Sequence, residues 1–392
     1  MDTPPETAPI QEPIPPKHMS NRDLYVLSAA TAVVTANAYY IHPIISLVAD
    51  DFGISHAMIG MVPAFNQIAL ALGILLLLPL GDWVSNRRLT GIFVAAQFLS
   101  VAVMAFAQDY WLFVTGSTVL GFFTIAPYLL PTYVSKRVGA RELGKATAII
   151  TTGIIGGILL ARAGAGVLGQ YFGWRSVYFV AAALMLAVTV ALPLIMEKRD
   201  SRTVAAPGQS YAGLLLSIGP IIRQNPEILL SGTIQALGFG IFLSIWMGLG
   251  LHLTSPEMGY GVDVVGYLAL FAIFNLFTTP RLGAWADRVG PRRARLTVAS
   301  TQLIVIMNVG GPLIDICNRM TFLNKAPEIR TRLMTVYIVM MFIGGGAASW
   351  AGTTAYDLAG WHGNAILALC MSVCLWTLSF LSVRGTKKDA KA

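Results

Sequence analysis

Charge is scarce in this sequence. Asp, Glu, Lys and Arg together make up 12% of its 392 residues, where an ordinary soluble domain carries about a quarter. With 55% hydrophobic residues and a mean hydropathy of +0.67, the chain belongs in a lipid bilayer rather than in water. Cysteine is nearly absent too. Cys317, Cys370 and Cys374 form neither a disulfide framework nor a metal-type spacing, and the last two sit one helical turn apart on an apolar run, as packing residues do. Also missing are a His-rich metal spacing, a nucleophile elbow and a phosphate-cradling glycine loop, which argues against an ATP-driven pump or a membrane hydrolase. No cofactor, no metal and no enzymatic activity are expected. A net charge of +8 would suggest nucleic acid in a soluble protein. Here the basic residues gather in short gaps between apolar runs, so no nucleic-acid partner is expected.

What the chain has instead is long uncharged runs, at about 24–48, 57–80, 89–108, 111–135, 144–169, 176–196, 228–252, 262–280, 296–315, 333–356 and 363–383. Each is on the order of the roughly 20 residues that cross a hydrocarbon core. The expectation is an all-α integral membrane protein, multi-pass in the cell membrane. Residues 1–22 are polar and proline-rich, with no short basic n-region or small-residue cleavage site, and read as a disordered cytoplasmic tail. Residues 23–196 form a first helical lobe of six spans, and 197–225 a cytoplasmic linker whose second part suits an interfacial helix. Residues 226–383 form a second lobe with five recognisable spans, and 384–392 a cytoplasmic tail. With the N-terminus inside, the gaps at 49–58, 108–110 and 253–261 carry no Lys or Arg, as the positive-inside rule expects of outer loops.

The halves repeat. Gly173-Trp174 recurs as Gly360-Trp361, 187 positions on, and the same offset pairs Lys145 with Arg332 and Gly157 with Gly344. A second landmark, Asp82 followed by Arg87 and Arg88, recurs 205 positions on as Asp287, Arg292 and Arg293. The offsets differ by 18, about one span, so the second half is expected to lack one crossing. Charge agrees: a single crossing between Arg293 and Arg319 would put Arg319, Lys325, Arg330 and Arg332 outside. The segment from Ile304 to Asp315 is therefore expected to join two truncated helices. Deletion, a mis-spliced gene model and residues closed up in the numbering are the open explanations.

GAWADRVGPRR, residues 283–293, resembles the loop signature of the major facilitator superfamily in Gly283, Asp287, Arg288, Gly290, Arg292 and Arg293. The first-half copy, LPLGDWVSNRR, departs from it at Leu78, Trp83 and Ser85. ANAYYIHPI in the first span and the following PLGD resemble a drug and metabolite efflux-like branch of that superfamily, in which a glutamine is expected where His42 stands. The resemblance implies two six-helix bundle repeats, the 12-helix major facilitator fold, minus about one span. It also implies alternating access by rocking of the lobes about a midplane site.

An Asp at a helix start can accept from free backbone N–H groups, and the arginines after it can pair with it, with the other lobe or with anionic membrane lipid. Asp82 and Asp287 are expected to act as a gating latch. Arg87, Arg88, Arg292, Arg293 and Arg295 read equally as latch partners or as topology determinants. Gly153, Gly157, Ala161 and Ala165 recur every fourth residue, as do Gly344, Ala348 and Gly352, giving a small-residue seam on each of two helices. That seam either slides between lobes or packs statically within one.

Arg162 is the one unambiguous charge deep in a span, and a charge there is normally turned toward protein, water or a partner. It either snorkels outward or forms a structural hydrogen bond, or it binds substrate. Its repeat mate is Ser349, so the fold unit does not require a cation there. Groups able to titrate in the membrane are His42, at a similar depth, Asp315, and His252 near an outer edge. Like charge between His42 and Arg162 would disfavour protonation unless an anion lay between them. Asn37, Tyr40, Gln67, Tyr128, Gln235 and Asn275 are candidates to line a cavity, and each reads alternatively as a helix-to-helix hydrogen bond.

The expected function is secondary active transport of a small organic molecule by a monomer, as proton-coupled efflux of a drug-like compound or metabolite. Uptake of a small organic anion by symport or uniport is an alternative. A truncated protein that does not transport is a second.

Overall fold

Proline decides where the first span bends. The computed structural model describes residues 19–135, 137–139, 142–197, 210–273, 285–286, 288–304, 310–322, 325 and 327–389. Its first helix, α1 (Asn21–Ala36), is capped by Ser20, whose hydroxyl accepts from the Asp23 N–H, and α2 follows as Ile41–Phe52. Between them lies a turn, because Pro43 has no N–H to offer the Tyr39 carbonyl. That carbonyl accepts from the His42 N–H at 3.3 Å instead. The run expected as one helix is therefore two, and the break sets Asn37, Tyr39, Tyr40 and His42 at one level.

The chain continues as α3 (His56–Ile59), α4 (Met61–Leu77), α5 (Asn86–Phe106), α6 (Tyr110–Phe123) and α7 (Ala126–Ser135). The α6–α7 break has the same origin. Pro127 cannot serve the Phe123 carbonyl, which accepts from Gln97 Nε2 at 2.8 Å. Then come α8 (Leu143–Phe172), α9 (Trp174–Ile195), short α10 (Tyr211–Leu216) and α11 (Ile218–Gln224), α12 (Glu227–Leu253) and α13 (Val262–Leu270). The last three are α14 (Pro291–Ile304), α15 (Gly310–Met320) and α16 (Pro327–Asp389), which breaks its helical geometry at Ala359 and Gly360.

Among the described residues every element is helical, and eight helical stretches are long and apolar enough to cross a membrane. One of these, Ile329–Val383, contains the α16 break. The repeated Gly-Trp pair is visible in the backbone: Gly173 has φ 80° and ψ 155°, and Gly360 has φ 57° and ψ −148°, conformations essentially reserved for glycine. α14 and α15 have 14 and 11 residues. The expected junction falls largely on residues 305–309, outside the described residues. Asn275, Gly283 and Asp287 also lie outside them, as do residues 1–18, 198–209 and the side chains of Asp82 and 384–392.

Packing answers the question of the small-residue seam. A Cβ at Gly157 would come within 2.7 Å of Ala32 Cα on α1, and one at Gly344 within 2.9 Å of Ala236 Cα on α12. Gly153 meets Ser28 of α1 in the same way, Gly352 meets Ser244 of α12, and Ala161, Ala165 and Ala348 are buried alongside. The seam is thus close packing within each half. The halves themselves touch along α4 against α16, α8 against α13, and α2 against α12.

We call the end bearing residues 53–55, 107–109 and 254–261 the distal end. There, Tyr110 donates to the Met58 carbonyl, and Arg175 bonds Asp51 at 2.7 Å and the Ala107 carbonyl at 3.0 Å. At the opposite, proximal end Arg137 stacks over the Tyr133 ring at 3.7 Å and lies 3.6 Å from the Glu197 carboxylate.

Candidate functional site

Arg162, Gly166 and Gln170 lie one helical turn apart on α8, and this one face looks across to the second half. Arg162 is 2% exposed. Its Nη2 lies 3.0 Å from His42 Nδ1. Its guanidinium carbon sits 5.2 Å from the Tyr39 ring centre, 5.0 Å from Phe242 and 4.6 Å from Trp246, the last two on α12. The cation therefore does not snorkel outward. It is held in an aromatic box made by both halves, where desolvated cation–π contacts are strongest.

The spacing of Arg162 and His42 with an anion between them is not what the structure shows; the two side chains touch. A guanidinium has only donors, so the imidazole accepts at Nδ1 and is neutral, with its proton on Nε2. Two donor atoms in the box are then left unpaired. Arg162 Nε and His42 Nε2 are both buried and have no hydrogen-bond partner among the described residues. Buried donors left unpaired cost about 1–3 kcal/mol each, a cost that an acceptor placed against them would remove.

The other sequence candidates disperse. Asn37 Nδ2 donates to Gln97 Oε1 at 3.4 Å, which ties it to the helix-bending network of Gln97 and Phe123. Tyr40 is buried in a core cluster that includes residues of both halves. Gln67 is 1% exposed, with its Oε1 unpartnered, and stands where α4 meets Gly346 of α16. Tyr128 meets Phe342 of the second half edge-on at 6.3 Å. Gln235 accepts from Asn318 Nδ2 at 3.3 Å and donates to Met341 Sδ at 3.5 Å. His252 stacks on Trp361 at 5.2 Å.

Asp315 stands in a site of its own. Arg319 Nε donates to both its carboxylate oxygens at 2.9 Å, and the Tyr337 hydroxyl donates to Oδ1 at 2.7 Å. Nearby, Arg295 Nη1 donates to Asn318 Oδ1 at 2.6 Å and Nη2 to Ser382 Oγ. By sequence Arg295 reads as a latch partner or a topology determinant and Arg319 as a charge of an inner loop. The available signals were the four-residue spacing of Asp315 and Arg319, and the position of Arg295 beyond the first turn of α14.

Of the expected gating loops, Ser85 caps α5 by accepting from the Arg88 N–H at 3.4 Å. Arg88 and Arg293 are exposed, and Arg87 and Arg292 partly so. Gly290 has φ 88°, the left-handed turn that lets Pro291 start α14 after Arg288.

Apolar helical halves packed against each other, with ionisable side chains buried where they meet, define a membrane carrier of small molecules. The family model described as Major Facilitator Superfamily matches residues 27–323, and the chain belongs to that superfamily of transporters. It is 26% identical over 386 residues to the uncharacterized transporter YgaY of Escherichia coli O157:H7, covering 92% of this chain and 97% of that one. It is 27% identical to a probable transporter of Streptomyces coelicolor, over 90% of this chain and 86% of that one. The multidrug resistance protein MdtG of an Escherichia coli strain is 25% identical over 53% of this chain and 50% of its own. Among solved structures, the nucleoside transporter NupG superposes with TM-score 0.75 at 14% identity, covering 92% of this chain and 98% of that one. The D-xylose-proton symporter superposes with TM-score 0.65 at 13% identity over 91% and 97%. The chain is thus a multi-pass membrane protein that carries small molecules across the bilayer.

Proposed function

We propose that the chain exports a small organic compound bearing an anionic or strongly polar group, in exchange for protons, and that Arg162 and His42 are its binding and coupling pair. The observation that carries this reading is the pair of unpartnered buried donors, Arg162 Nε and His42 Nε2, enclosed by rings from both halves. An anionic group accepts from both donors. Protonation of His42 ends its capacity to accept from Arg162 and sets two cations side by side, so proton arrival and substrate binding become linked. The partial relation to MdtG supports export. On this reading the distal end faces outward, the N-terminus lies in the cytoplasm, and the carrier works as a monomer, with residues 23–196 and 226–383 as its rocking lobes.

Uptake of an organic anion is the second reading, favoured by the pairing of Asp315 with Arg319, which leaves Arg162 without an acidic partner in its box. Proteoliposomes carrying a panel of organic anions and drug-like compounds, with the pH gradient imposed in either direction, separate the two. The expected result is flux driven by an inward proton gradient and lost in Arg162→Ala, with Arg162→Lys partly active because it keeps charge without the planar fork. Unchanged flux and unchanged pH dependence in both variants would refute the role of Arg162.

A further inference from the structure

At the distal end the halves are joined by two contacts that the internal repeat relates to each other. Gln170 on α8 and Asp357 on α16 are 187 positions apart, the offset of the Gly-Trp pair. His56 opens α3 and Val262 opens α13, and each follows, by three residues, a glycine of positive φ, Gly53 at 62° and Gly259 at 66°. In one contact the Val262 N–H donates to Gln170 Oε1 at 2.9 Å. In the other His56 Nδ1 lies 3.4 Å from Asp357 Oδ1. One turn deeper the correspondence continues. A Cβ at Gly166 would come 3.0 Å from Gly266 Cα, and one at Gly60 would run into Thr353; Gly166 and Thr353 again differ by 187 positions.

The two contacts are alike in place and unlike in chemistry. Gln170 supplies a neutral acceptor to the first free N–H of α13, whose own cap, Gly261, has no side chain. Asp357 offers a carboxylate to an imidazole. Around that imidazole, Tyr356 of α16 meets it edge-on at 5.5 Å, and His252 at the end of α12 meets the same tyrosine at 6.4 Å. Asp50 and Asp51 end α2 beside α3, Asp51 being held by Arg175.

We propose that these contacts are the two halves of a distal gate, and that the His56–Asp357 half makes opening of that gate sensitive to protons on the distal side while the Gln170–Val262 half does not. The proposal rests on the carrier reading above but not on Arg162 or His42. An imidazole gains its charge as pH falls from about 8 to about 5. The charged ring makes an ion pair with Asp357 and holds the gate shut, and the neutral ring holds it less.

The test uses the full chain in lipid nanodiscs without substrate. Exposed Cys370 and Cys374 are replaced by serine, and nitroxides are placed at Trp111→Cys in the first half and Leu358→Cys in the second, both exposed. Pulsed electron resonance then reads the ratio of long to short distances. That ratio should rise about two- to fivefold from about pH 5.5 to about pH 8, the range an exposed ion pair supports. The rise should shrink in about 1 M salt, vanish in Asp357→Asn and in His56→Gln, and persist in His42→Gln. A pH-independent ratio, or pH dependence that survives Asp357→Asn, would overturn the gate. Loss of pH dependence in His42→Gln alone would overturn it too and assign proton sensing to the Arg162 box. An intact gate response beside unchanged flux in Arg162→Ala would refute the binding-pair reading only.

Discussion

Gly166→Ala adds one methyl group where α8 of the first half lies against α13 of the second. The new Cβ would sit 2.7 Å from the Val262 carbonyl oxygen, 3.0 Å from Gly266 Cα and 3.2 Å from Asp263 Cα, all backbone of α13. Ordinary contact begins at 3.4 Å, so α8 and α13 must part by several tenths of an ångström. Backbone atoms in helix cannot turn aside as a side-chain tip does. Overpacking of this kind costs about 1–3 kcal/mol. Because the clash exists only while the distal ends are together, the cost falls on the closed state, and the open population should rise about 5- to 150-fold. Distances between nitroxides at Trp111→Cys and Leu358→Cys give the readout. The control is Gly164→Ala, two positions away on the same helix, where a Cβ meets nothing within 4 Å. Gly266→Ala approaches the same contact from the other side, 2.8 Å from the Arg162 carbonyl oxygen, and should act alike, the pair falling short of additivity because they share one contact. Identical distance distributions for Gly166→Ala, Gly164→Ala and the parent chain would refute the close approach of α8 and α13.

Two further outcomes follow from packing and from the repeat. Gly157→Ala should lower thermal stability in detergent by about 1–3 kcal/mol, because its Cβ meets α1 backbone, while Gly156→Ala, facing open space, should be neutral or gain up to about 1 kcal/mol from helix propensity; equal melting would show that α1 does not lie on that face. The coding sequence after Gln302 should prove to lack about 18 codons, one span's worth, since the two repeat offsets, 187 and 205, differ by 18; a transcript reading straight through in a full-length, transporting protein would refute the truncation.

Much of the architecture was legible because bilayer physics writes it in composition. Runs of apolar residues marked the spans, and a doubled Gly-Trp marked the repeat, since a positive φ with extended ψ leaves little choice but glycine. The small-residue seam was legible as a seam. Whether it joined lobes or helices within a lobe was not, because spacing along one helix says nothing of its partner. Arg162 and His42 were singled out by charge and depth alone, and lie in contact. The break that brings His42 to that level depends on Pro43, and its satisfaction on neighbouring backbone, which a run of hydropathy does not display. Arg295 and Arg319 share a reason: a basic residue near a helix end reads as a loop charge until the facing Asn318, Ser382 and Asp315 are known. The gate contacts were invisible, since His56 and Gln170 carry no signal apart from the residues they meet in the other half.

The two gate contacts continue into the two stripes beneath them. On α8, Arg162, Gly166 and Gln170 stand at four-residue intervals, so the box, the close approach and the neutral half of the gate lie on one rigid face about 12 Å long. On α16 the repeat mates are Ser349, Thr353 and Asp357. Ser349 is fully buried with a hydroxyl that has no partner among the described residues, and Asp357 bears the charge. The symmetric fold thus places the deep cation on one stripe and the gate's charge on the other. A ligand shifts an equilibrium only by its differential affinity for the two states. If the proposed pair holds an anion, that anion, with donors on the first half and Phe242 and Trp246 on the second, would act where α8 meets α12 and on the neutral contact that shares its helix. A proton on His56 biases the opposite seam. On the proposals above, both seams part together when the halves rock, so an anion in the box and a proton on His56 act on one equilibrium through different helices, the His56 proton tuning the gate from the distal face while the exchanged proton is the one linked to substrate at His42.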